Sequence, residues 1–163
     1  MRCAASITAQ LGREYSTYWQ LCQLAADLAS MSSPWSATAP FFVALAERLR
    51  TEAGSLVDLL LRQGEPVELP ELSKPLCGLA GAAAELSLRS ALESAIQLLD
   101  ATERHGFSST TARDGDGEAK RIAEDLYIAY RRARSTLYAH LSAIEALRND
   151  VGATLQYARG SMQ

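Results

Sequence analysis

From Ile7 onward, apolar residues recur along this chain at alternating steps of three and four. Ile7, Leu11, Tyr18, Leu21, Ala25 and Leu28 fall on one line and predict a first helix over about 5–30, with Glu14 inside that line. Ser32, Ser33, Pro34 and Ser36 then interrupt the pattern with capping and helix-breaking residues, so a second helix turns back against the first. It runs over about 36–63 with Phe42, Leu45, Leu49, Leu56 and Leu59 as its stripe, and Glu52 interrupts that stripe from the inside. A third helix is predicted over about 79–105, with Ala82, Leu92, Ile96 and Leu99 inward, Arg89 beside them and Gly106 as its cap. A fourth follows over about 118–148 along Ile122, Leu126, Ala129, Ala133, Leu137, His140, Ile144 and Leu147. The tail from Asn149 supports at most a short fifth helix, and no β-hairpin signal or internal repeat is present.

The connector between the second and third helices is unusual. Gly64 suits the left-handed position that ends a helix, and Pro66 follows two residues later. Pro66, Pro70 and Pro75 with alternating Val67, Leu69 and Leu72 then favour an extended path. About a dozen residues at ~3.3 Å each reach ~40 Å, the length of a helix of about 27 residues. The connector is therefore long enough to return along the whole second helix, so that the third starts at the original end. This predicts an all-α four-helix bundle with one long crossover.

With 163 residues the chain has room for one substantial core, and its net charge of −3 with 48% apolar residues excludes a strongly basic nucleic-acid binder or a disordered tail. No apolar run approaches the ~20 residues needed to span a bilayer. Cys3, Cys22 and Cys77 are odd in number and lack a C-x-x-C spacing, which suggests neither a disulfide framework nor zinc, and a reducing compartment fits. Arg2 and Arg13 precede any acidic residue, a faint presequence feature, but helical periodicity starts at once. The cytosol is the expected location, with an organelle matrix as the alternative.

Phe41, Phe42, Leu45, Ala46, Glu47, Arg50, Leu59, Leu60, Gln63, Lys74 and Pro75 fall without gaps on the pattern of a ferritin second helix and crossover. The chain resembles the ferritin family in this register, and is closest to the light-chain type. The resemblance implies a ferritin-like bundle with a short or absent fifth helix, and a place at mid-bundle where active members hold two irons. Such a centre needs inward carboxylates and Glu-x-x-His pairs at one level. Here no Glu-x-x-His occurs, and the only histidines are His105 and His140.

Carried over position by position, the resemblance leaves Glu14 in place, puts Leu49 at the bridging glutamate and Glu52 at the following histidine, and puts Arg89 and Ala133 at the remaining ligand positions. These five are expected to mark a vestigial site with no catalytic residue, no bound cofactor and no metal. Arg89 is expected to pair with Glu14, Glu52 or both, since a buried carboxylate without a partner is costly. Of the family's mineral-nucleating glutamates on the second helix only Glu47 remains, beside Ala44, Arg48 and Thr51. Iron mineral is then expected only as cargo of a cage.

Other candidates have simpler readings. His140 is expected as a hydrogen-bonded core residue, because no acid or second imidazole stands one turn away. The run Asp114-Gly-Asp-Gly-Glu118 lacks the later ligands of a calcium loop and reads as a turn and helix start. Arg131, Arg132 and Arg134 are too few to argue nucleic acid. Tyr15, Trp19, Tyr127, Tyr130 and Tyr138 are expected near or outside the inner stripes, under the crossover or at a subunit interface. The resulting expectation is one ferritin-like domain over 1–163, not an enzyme, that joins an iron-storage shell as a homo-oligomer or with ferritin-like chains. The alternative is a structural or adaptor subunit of a larger complex without an iron role.

Overall fold

The structure, a computed structural model, describes residues 2–30, 34–67, 87–110, 117–148 and 150–162, and of these the side chains of 2–6 and 105–110 are left aside. The described residues form five α-helices, α1 (Arg2–Leu28), α2 (Ala39–Arg62), α3 (Leu88–Thr110), α4 (Gly117–Ala146) and α5 (Val151–Ser161), with a 3-10 turn over Ser36–Thr38 leading into α2. The chain is all-α and bundle-like.

The helix ends follow local chemistry. Pro40 sits in the first turn of α2, where its missing N–H costs no helical bond. At the other end Gly64 has φ 69°, its N–H donates to the Leu61 carbonyl, and the Glu65 N–H donates to the Leu60 carbonyl at 3.0 Å. That pair of bonds closes α2 as the glycine at this position predicts. Gly106, by contrast, does not end α3, which continues to Thr110. A lone glycine weakens a helix by only ~1 kcal/mol, less than a continuing run of backbone bonds returns. The α3 start expected near Leu79 lies partly outside the described residues, where α3 begins at Leu88, and most of the predicted crossover and Ala82 lie outside them as well. The tail does form a helix, α5, capped by the Asp150 carboxylate, which accepts from the Ala153 N–H at 3.0 Å.

Two apolar clusters fix the direction of each helix. One gathers Leu21, Leu24 and Leu28 of α1, Phe42, Leu45 and Leu49 of α2, Leu88 and Leu92 of α3, and Leu137 and Ile144 of α4. The other gathers Ile7 and Leu11, Leu56, Leu59 and Leu60, and Ala119, Ile122 and Leu126. Thus α1 and α4 run from the second cluster to the first, whereas α2, and α3 from its first turn, start at the first cluster. α1 packs chiefly on α2 and α3, and α4 on α3 and α2, which leaves α1 and α4 on a diagonal. α2 therefore ends, and α3 begins, at opposite ends of the bundle. Arg62 on Glu118 at 2.7 Å and Arg89 on Glu145 at 3.3 Å bracket those two ends.

Candidate functional site at mid-bundle

Where the two clusters meet, the core becomes polar. Gln10, Glu14 and Thr17 of α1, Thr102 of α3 and Tyr130 of α4 are all buried, and α2 adds the apolar Leu49 and Ala53. The α1 residues at steps of four and three share its inner face, so a single helix delivers a carboxyl flanked by an amide and a hydroxyl. The Tyr130 hydroxyl donates to Glu14 Oε2, and Gln10 Nε2 donates to Glu14 Oε1. Thr17 Oγ1 meets Thr102 Oγ1 and also donates to the Arg13 carbonyl at 2.9 Å. Gln10 Oε1, although buried, has no hydrogen-bond partner among the described residues.

Burial dominates the electrostatics of this layer. Desolvation lifts the Glu14 carboxyl from an ordinary 4.5 to about 7, against the opposing pull of the Tyr130 and Gln10 hydrogen bonds and the Arg13 charge. The Tyr130 phenol is pushed well above its usual value, first by burial and then by the neighbouring carboxylate. Beside this layer, Arg134 of α4 reaches Glu103 at 2.7 Å and also pairs with Asp100, which ties α4 to α3.

The five positions expected to share a vestigial site do not converge. Glu14 is central, and Leu49 and Ala133 are buried as core residues. Glu52 is only half-buried. Arg89 does not enter the bundle: it is exposed, pairs with Glu93 at 2.9 Å and Glu145 at 3.3 Å, and touches neither Glu14 nor Glu52. The reason lies in the face of α3, where Leu88, Ala91, Leu92 and Ala95 take the inner side and turn Arg89 outward. The partner of Glu14 is instead a phenol.

Tyr130 is the residue that periodicity placed wrongly. It is fully buried, whereas Ala129, expected in the stripe, only packs at its edge. Its spacing of four from Leu126 and seven from Leu137 carried the signal, and the smaller alanine beside it obscured that signal. Gln10, Thr17 and Thr102 are polar, so no apolar stripe marks them.

The remaining candidates are local. Glu47 accepts from the Tyr18 hydroxyl at 2.9 Å and from Arg50 at 2.8 Å, so its carboxyl is held below the usual range, chiefly by Arg50, while Ala44, Arg48 and Thr51 are exposed. His140 is half-buried, its Nδ1 lies 2.8 Å from the Tyr157 hydroxyl, and Phe41 packs edge-on to its ring, so it joins α4 to α5. Burial lowers its pKa. Trp19, Tyr127 and Tyr138 are exposed and Tyr15 is half-buried. Cys22 is a free thiol, and the side chains of His105, Cys3 and Cys77 lie outside the described set, as does the run 111–116.

The donors at mid-bundle are one carboxyl, one amide, one phenol and two hydroxyls, which is not the carboxylate and imidazole set that a pair of irons requires. Among the described residues, no three His, Cys, Asp or Glu side chains form a group suited to a metal ion. None of the described helices is long and apolar enough to cross a membrane. No protein-family profile and no curated protein matches the chain.

Proposed function

We propose that this chain is a ferritin-like bundle acting as an architectural subunit. It contributes wall to an iron-storage shell, with copies of itself or with ferritin-like chains, and carries no iron oxidation of its own. The observation that supports this reading is that α2 ends and α3 begins at opposite ends of the bundle, as a long crossover between them would require. The Glu14–Tyr130–Gln10 contact fits the same reading, because it gives the centre internal partners in place of metal. Stored mineral is cargo, and the cytosol is the compartment in keeping with an odd number of cysteines and no C-x-x-C spacing.

A second reading, an adaptor subunit of a larger assembly with no iron role, is favoured by Glu47. Its carboxylate is engaged by Tyr18 and Arg50 rather than left open to nucleate mineral. Native mass measurement of the full chain, alone and mixed with a ferritin-like partner, followed by iron loading and metal analysis, separates the two. A multi-subunit particle that retains iron is the expected result for the shell. A particle or complex that retains none supports the adaptor, and a persistent monomer in both samples overturns the architectural reading.

A further inference from the structure

The outward face of α4 carries an ordered set of charges. At ~100° and ~1.5 Å per residue, Ile128 stands opposite the stripe of Leu126, Tyr130, Ala133 and Leu137. It is 45% exposed, and Glu124, Asp125, Arg131 and Arg132 around it are exposed too. Both acids precede Ile128, by three and four residues, and both arginines follow it at the same distances. Among the described residues these charges are poorly used: Glu124 meets only Lys120 at 3.9 Å, Arg131 lies over the Tyr127 ring at 5.6 Å, and Asp125 and Arg132 have no ion pair.

We propose that a second copy of this chain docks here, α4 against α4 in antiparallel register, with a two-fold axis passing between the two Ile128 side chains. Charge complementarity selects that arrangement. A parallel pair sets arginine against arginine and acid against acid. The antiparallel pair puts Arg131, ~4.5 Å beyond Ile128, beside Glu124 of the second copy, ~6 Å before its own Ile128 and on the same flank. Arg132 and Asp125 of the second copy meet in the same way on the opposite flank, so the symmetry generates four ion pairs around one aliphatic anchor. A slip by one helical turn separates both sets of partners. Exposed pairs of this kind add little energy each and mainly fix register, so the association is weak and salt-sensitive. The inference rests on reading the chain as an assembling subunit and names one of its contacts.

The test is sedimentation velocity of the full chain at about 0.01 M and about 1 M salt, between which the screening length falls from ~30 Å to ~3 Å. Wild type is expected to associate at low salt and to dissociate at high salt. The double reversals R131E/R132E and E124K/D125K are each expected to weaken self-association by about tenfold or more, and their equimolar mixture to recover it, because all four pairs are restored between unlike copies. Circular dichroism of each variant alone checks that the helices persist. Association that survives both reversals overturns this surface and leaves the assembling reading standing. A wild-type chain that stays monomeric at low salt overturns this surface, and the assembling reading falls with it only if the chain also stays monomeric when mixed with a ferritin-like partner.

Discussion

Glu14 of α1 and Tyr130 of α4 meet across the diagonal of the bundle, where the phenol hydroxyl donates to a carboxyl that is only 3% exposed. Helices on a diagonal share few contacts, so this bond is one of the few direct ties between α1 and α4. It joins them through a group that burial works to keep neutral.

The folded chain binds the Glu14 proton more tightly than the unfolded chain does, since its carboxyl rises from 4.5 to about 7. Protonation therefore favours the fold. The carboxyl imposes no penalty below pH 4.5, an increasing one as pH climbs toward 7, and a constant one of about 3 kcal/mol above that. Glu14→Gln replaces the charge with a neutral amide of nearly the same size. Denaturant titrations should find this variant close to wild type at pH 5 and more stable by roughly 2–3 kcal/mol at pH 8. A stability difference that does not change with pH would refute the raised carboxyl.

Tyr130→Phe keeps the ring in the core and removes only the donor. It should destabilise the chain by about 1–3 kcal/mol, and by more at pH 8 than at pH 5, because the ionised carboxylate depends on the lost hydrogen bond more than the neutral acid does. Combined with Glu14→Gln, the two effects should fail to add, which a double-mutant cycle reads directly. Additivity would show that the contact carries no coupling.

Much of this architecture was legible in the residues. The stripes of α1 and α2 and the stop at Gly64 follow from period and turn chemistry, which are local properties. The bundle centre was not legible in the same way. Whether Arg89 turns inward or outward depends on which neighbours in α3 win the inner face, a choice made between helices. Tyr130 lies on the α4 stripe, but a tyrosine's hydroxyl makes burial costly without a partner, and that partner stands 116 residues away. Gly106 shows the reverse error, a real local signal overridden by a helix that continues through it.

Asp150 caps α5 through the Ala153 N–H and gives its carbonyl to the Thr154 hydroxyl at 2.7 Å. Asp150→Ala should cost about 1 kcal/mol. Because, among the described residues, α5 and its C-cap Met162 add only Ala158, Met162 and the edge of Tyr157 to the apolar core, the loss should appear as faster amide exchange across Val151–Ser161 and leave the exchange of α1–α4 nearly unchanged.

Arg134 of α4 is the cation that holds two acids of α3, Asp100 and Glu103. Its side chain is 25% exposed, Asp100 24% and Glu103 12%, so all three are shielded from water yet not fully dry. Replacing it with methionine keeps the apolar stem but leaves both carboxylates without their partner, and the loss should be about 2 kcal/mol, below the range for fully buried pairs. Removing an acid as well should restore part of the stability: Arg134→Met with Glu103→Gln should lie closer to wild type than Arg134→Met alone, since the worst uncompensated charge is then gone. Urea titrations of wild type and the two variants measure this directly. A double variant less stable than the arginine variant would mean that Glu103 has a favourable role independent of Arg134, and the α3–α4 tie would have to be assigned elsewhere.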